Sequence, residues 1–243
     1  MPRSNPALRS AFDRSYPYAG AIAQPMTIGG TVGKTFLLLA LTIFSAGVVW
    51  FNVAANPALV GTGLLVGTLG GLVVAMITIF RPQAAPWTAP LYAVLEGLAL
   101  GGISAVYAAR YAGLPLQAVG LTTAVAVGML IAYQTGLIRA TPTVRKVIVS
   151  ATFGIMLFYL LTMVLRMFGV AMPFLHDASP LGIGVSLFIT GIAALNLVLD
   201  FDLIERGAAA GAPKYMEWYG GFALLVTLIW LYLEILRLLG RRR

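Results

Sequence analysis

The chain has 243 residues, of which 60% are hydrophobic and only 10% charged, and its mean hydropathy is +0.92. Soluble domains carry about 25% charged residues, so an ordinary soluble fold is excluded and a polytopic membrane protein is indicated. With no cysteine there are no disulfides, thiolate metal sites or cysteine nucleophiles; the net charge of +8 is spread along the ends of apolar runs, where anionic lipid headgroups attract it, and no basic module able to hold nucleic acid is present.

In chain order, residues 1–32 carry Arg3, Arg9, Asp13 and Arg14 but no apolar h-region near the start. This composition predicts a flexible cytoplasmic tail rather than a cleaved signal peptide. Seven apolar segments follow, at about 36–53, 58–80, 90–109, 116–138, 147–169, 181–201 and 219–239. Each is close to the ~20 residues that a bilayer requires of a helix. The connections carry turn chemistry: Asn56-Pro57, the stretch RPQAAPWTAP (81–90), Gly113 with Pro115, ATPTVRK (140–146) and LHDASP (175–180). They are short, so residues 33–243 are expected to form one all-α bundle of seven transmembrane helices joined as antiparallel neighbours.

Lys and Arg set the expected orientation. With the N-terminus inside, Arg3, Arg9, Arg14, Lys34, Arg81, Arg139, Arg145, Lys146, Arg206 and Lys214 fall on the inner side, against Arg110 and Arg166 in outer connections. Arg237 and the terminal Arg241, Arg242 and Arg243 also fall outside if every segment crosses; a re-entrant late segment would return them inside. Seven spans with a cytoplasmic N-terminus is the expectation, and the lack of eukaryotic sorting motifs suits a bacterial inner membrane. Gly63, Gly67 and Gly71 in the second segment, and Gly97 and Gly101 in the third, form small-xxx-small faces that let helices approach closely in lipid.

Chemistry is confined to few groups. Among the 8 acids, Asp13 and Asp177 have solvated places, and Glu205 and Glu217 flank the hinge AAAGAPK beside Arg206 and Lys214. These last two read as interfacial charges, with an interior position for Glu217 as the alternative. Glu96 lies within an otherwise uncharged span, either as a neutral hydrogen-bonding group or as a wall of a polar cavity. Asp200 and Glu234 are the sharper pair, one acid in each of the last two segments. An ionised acid in hydrocarbon costs at least ~2.5–3.5 kcal/mol on insertion scales, which makes such residues functional candidates. If they meet, they share a proton and titrate together, and when both ionise they offer a transient calcium site with hard oxygen ligands. The alternative is an interfacial Asp200, with Glu234 paired to Arg237 one turn on.

Enzymatic readings find no support in the motifs. The chain has no G-x-G-D protease signature, no H-E-x-x-H, no nucleotide-binding glycine loop, and a single histidine, His176, in a polar loop. Asn196, Gln134, Ser104 and Tyr107 lie in or beside spans, where interhelical hydrogen bonding accounts for them. No cofactor is expected.

DFDLIERG (200–207) followed by LYLEILRLL (231–239) resembles the last two helices of the Bax-inhibitor (YccA-like, transmembrane Bax-inhibitor-motif) family. YAVLEGLALG (92–101) resembles the third helix of that family, and NPALRS (5–10) and Lys34-Thr35 resemble its actinobacterial-type members. The resemblance spans essentially the whole chain in number and order of helices. It implies a central seventh helix wrapped by six others, and a pH-sensing acid pair at Asp200 and Glu234, with Glu in place of the family's Asp. It also implies an arginine latch from the second helix, for which Arg81 is the available residue. Family members are associated with pH-dependent calcium leak and, in animals and plants, with suppression of cell death. The 34-residue separation of Asp200 and Glu234 is longer than the family pattern, so Asp202 or Glu217 stand as substitutes for one partner.

The expected function is therefore a pH-sensitive cation leak, most plausibly for Ca²⁺, with protons, divalent cations and anionic lipids of the cytoplasmic face as its partners. A proton-coupled carrier of a small solute and a non-conducting regulatory membrane protein are the alternatives.

Overall fold

The structure, a computed structural model, describes residues 24–169 and 179–241. Arg3, Arg9, Asp13, Arg14, His176, Asp177, Arg242 and Arg243 lie outside the described residues. Among the described residues seven helices are long and apolar enough to cross a membrane. They are α1 (Ile28–Asn52), α2 (Ala58–Phe80), α3 (Ala85–Arg110), α4 (Leu114–Gln134), α5 (Pro142–Met167), α6 (Pro180–Ala209) and α7 (Met216–Arg241). The only β pairing among the described residues is an isolated bridge between Pro25 and Pro213.

α1, α5 and α6 begin ahead of their apolar windows because local caps set their starts, whereas α4 and α5 end short of the expected 138 and 169, at Gln134 and Met167. Thr27 caps α1 by accepting from the Gly30 N–H at 2.9 Å, so the bundle begins before residue 33 and the segment expected to be tail from 24 to 32 is structured. Thr141 and Ser179 cap α5 and α6 in the same way, each followed by a proline at the first helical position. The stretch 81–90, expected as a connection, is mostly helical. A 3₁₀ turn at Pro82–Ala84 leads straight into α3, whose Pro86 falls in the first turn, where no intrahelical acceptor exists for an N–H.

α7 is the axis of the bundle. Over its most apolar window 56% of residues are buried, against 11% to 44% in the other spans, and it packs on α1, α3, α4 and α6. α5, the least buried span, rests on α6. The glycine faces bring α1, α2 and α3 together. A Cβ on Gly67 would stand 2.5 Å from the Leu95 carbonyl oxygen of α3, and one on Gly101 would stand 2.5 Å from the Ala46 carbonyl of α1. α3 is thereby gripped on two sides.

The two ends of α7 show that this helix runs the full depth of the bundle. Its start lies beside the α1 N-terminus, where the Met26 N–H donates to the Ala212 carbonyl at 2.7 Å. At its far end Arg241 donates to the Gly182 carbonyl at the start of α6 (2.6 Å), and Gly240 lies against the Tyr107 ring near the end of α3. α7 therefore ends at the opposite end of the bundle from α1's start and is not re-entrant.

Candidate functional site

Polar groups meet α7 at three levels. At the first, Glu217 lies in its opening turn and is 1% exposed. Its Oε1 accepts from the Thr27 N–H (3.0 Å), the Thr27 hydroxyl (2.9 Å) and the Lys214 ammonium (2.9 Å). Glu217 thus faces the interior, not the interface as its neighbours in sequence suggested. The positive end of the α1 dipole and an unsatisfied cap N–H draw the carboxylate inward.

At the second level, Asp200 of α6 accepts from the Thr227 hydroxyl of α7 at 2.6 Å. Among the described residues no cation pairs with it. It opens onto a cleft of about 270 Å³ lined by Ala75 and Ile79 of α2, Tyr92 of α3, and Phe222, Val226 and Thr227 of α7. The Tyr92 and Phe222 rings meet edge to face at 4.9 Å and form one wall. Glu96, one turn along α3 from Tyr92, interacts with that phenol and points at Gly71, where a Cβ would stand 2.7 Å from its Oε1. Glu96 therefore occupies an interhelical site on α3 next to the Asp200 cleft, and the glycine face of α2 provides its space.

At the third level, Glu234 is 1% exposed and fully engaged. Arg237 Nη1 donates to both of its oxygens at 2.9 Å, the Tyr159 hydroxyl of α5 donates to Oε1 at 2.7 Å, and Trp230 Nε1 approaches the same oxygen at 3.3 Å. Arg237 also donates to the Tyr159 hydroxyl at 2.6 Å, closing the cluster.

Asp200 and Glu234 are not brought together. No hydrogen bond joins them, and Thr227, which marks the level of Asp200, precedes Glu234 by seven residues, about 10 Å along the axis at ~1.5 Å per residue. Asp200 lies nine residues before the end of α6, whereas Glu234 lies eighteen residues into α7, so an antiparallel pair cannot level them. A shared proton and a two-carboxylate calcium site at this pair are accordingly absent from this conformation. Asp202 does not replace either partner: its Oδ2 pairs with Arg145 of α5 at 2.6 Å and with Arg206 one turn on. Arg81 caps α2 with an exposed side chain and makes no ion pair with Asp200 or Glu234, so the latch is not formed here. No group of three or more metal-ligating side chains exists among the described residues.

Several residues that shape these sites were not singled out from sequence. Thr227 is the only hydroxyl-bearing threonine in the last segment, and Tyr159 a lone phenol in the middle of the fifth; both signals were present but ambiguous. Tyr133 donates to Glu205, and Tyr232 of α7 shares a 2.7 Å hydrogen bond with Ser104 of α3, for which interhelical bonding was expected. Asn196 donates to Thr152 of α5 at 2.8 Å, the interhelical role expected of it.

A central apolar helix packed on α1, α3, α4 and α6, with acids at successive levels, agrees with a whole-chain family match: the family described as Bax inhibitor 1 like covers residues 5–243. The chain belongs to that family. No curated protein and no solved structure matches it. As a Bax inhibitor 1 like protein with seven membrane-crossing helices, it is an integral membrane protein whose environment is the lipid bilayer.

Proposed function

We propose that this family member is a pH-sensitive cation leak, for Ca²⁺ foremost, resident in a bacterial inner membrane with its N-terminus in the cytoplasm. The supporting observation is Asp200: an acid with no cation partner among the described residues, on a cleft of about 270 Å³, tied to the central helix by the Thr227 hydroxyl. A change of charge at Asp200 alters the one polar contact between α6 and α7 at that level and biases the position of α7 between closed and conducting arrangements. An acid lining a water-accessible path draws cations into it. In this reading Glu234 is not the second sensor. Bound by Arg237, Tyr159 and Trp230, it closes the far half of the bundle as a neutralised plug. The activity is transport, with no catalytic step and no cofactor.

The test is Ca²⁺ flux into proteoliposomes from acidic to neutral pH, for the unmodified protein, Asp200→Asn and Glu234→Gln. Flux whose pH profile flattens in Asp200→Asn and keeps its shape in Glu234→Gln supports the assignment. A profile unchanged in Asp200→Asn removes Asp200 as the sensor, and no flux under any condition overturns the channel reading in favour of a proton-coupled solute carrier or a non-conducting regulator.

A further inference from the structure

At the end of the bundle where α1 begins, two arginines converge on one acid, beside a cleft that shares Tyr219 with the neighbouring Asp200 cleft. Arg145, three residues into α5, and Arg206, three residues before the end of α6, both reach Oδ2 of Asp202. Their side chains remain 41% and 54% exposed while Asp202 is only 17% exposed, so the carboxylate is covered by guanidinium groups that themselves face outward. Within this contact one carboxylate faces two guanidinium groups. Among the described residues neither Glu205 nor Glu217 forms an ion pair with Arg145 or Arg206. Glu205 is held by the Tyr133 hydroxyl of α4, and Glu217 is held by Lys214 and Thr27. A guanidinium has five N–H donors, and the contacts to Asp202 use few of them.

Directly beside these arginines is a cleft of about 260 Å³. Its walls are apolar: Met26 of the segment before α1, Leu203 and Ile204 of α6, and Met216 and Gly220 of α7. A free inorganic anion would meet the guanidinium groups but would leave this apolar trough unfilled. A pair of half-exposed guanidinium groups at a helix end, beside an apolar cleft, matches the chemistry of a phosphodiester headgroup with its glycerol and acyl chain.

We propose that the Arg145–Arg206 cleft is a binding site for one anionic phospholipid, the phosphodiester accepted by the two guanidinium groups and the chain lying against Met26, Ile204 and Met216. Occupancy joins α5, the most lightly packed span, to α6, α7 and the segment ahead of α1. The site stands independently of the leak proposed above.

The experiment is native mass spectrometry and thermal unfolding of the purified full chain in neutral detergent, titrated with phosphatidylglycerol, phosphatidylcholine or inorganic phosphate. Phosphatidylglycerol is expected to remain bound and to raise the unfolding temperature, with phosphatidylcholine and inorganic phosphate doing neither. Arg145→Gln/Arg206→Gln is expected to weaken retention by about tenfold or more, whereas Arg139→Gln, a basic residue outside the cleft, leaves it unchanged. Arg145→Lys/Arg206→Lys keeps the charges on Asp202 and loses the planar fork, so it decides the matter if the glutamine variant does not fold; a loss of several-fold is expected. Equal retention of phosphatidylglycerol by the lysine variant and the unmodified protein, equal retention of phosphatidylcholine, or full stabilisation by phosphate alone would each overturn the proposal.

Discussion

Glu217, in the first turn of the last helix, accepts from both the backbone N–H and the hydroxyl of Thr27, the residue that caps the first helix 190 positions earlier. In an ordinary capping box the cap residue and a Glu three residues on satisfy one another. Here the residue three on is Gly30, whose N–H does bond the Thr27 hydroxyl, and the carboxylate comes instead from the other end of the chain. A Cβ on Gly30 would overlap that carboxylate, so glycine at this position is a condition of the arrangement.

Gly30→Ala and Glu217→Ala are therefore expected to destabilise the protein through the same contact. Each should cost about 1–3 kcal/mol, combining loss of a helix cap with loss of the acid that faces Lys214. The double variant should cost little more than the worse single one, because the second change removes nothing further. Thermal unfolding in detergent checks this; additive losses would show that the two residues act separately.

Removing Arg237 should harm the fold more than removing the Glu234–Arg237 pair together. Arg237→Gln leaves a carboxylate 1% exposed with only the neutral donors Tyr159 and Trp230. Because the guanidinium itself is 38% exposed, the loss belongs at the low end of the about 3–5 kcal/mol seen for broken buried pairs. Glu234→Gln/Arg237→Gln should recover part of that stability in the same unfolding assay.

Thr227→Val removes the one hydrogen bond that ties Asp200 to α7 while preserving shape. Interhelical hydrogen bonds in membranes average about 0.6 kcal/mol, so stability should fall only slightly. The pH profile of Ca²⁺ flux should move, since Asp200 then changes charge without a donor from the central helix. An unmoved profile would separate this contact from gating.

Gly67→Val should disrupt the α2–α3 contact. Its Cβ would already stand 2.5 Å from the Leu95 carbonyl and 2.7 Å from the Ala99 nitrogen, both backbone atoms that cannot turn aside. Overpacking of this kind costs about 1–3 kcal/mol, or more where backbone must move, and lower yield and unfolding temperature are the readouts. Gly120→Val, whose position has nothing within reach of a Cβ, is the matched control and should be tolerated.

What followed from sequence alone was what depends on local composition. Hydropathy over ~20 residues set the number and order of the spans, since each must satisfy its backbone inside lipid whatever its neighbours do. The glycine spacing on the second and third spans marked where helices touch, and Arg237 one turn from Glu234 marked a local partner. The pairing of distant groups was decided only by tertiary structure. Whether Asp200 and Glu234 meet depends on the axial level of each acid once α6 and α7 are fully built, and α6 runs on to Ala209, beyond the end of its apolar window at 201. Glu217 read as interfacial because its sequence neighbours are charged. It is buried because the fold carries the first helix's cap, with an unsatisfied N–H, to within hydrogen-bonding distance of it. A carboxylate's role in such a bundle is set by the donors that the packing brings to it, and most of those donors arrive from other helices.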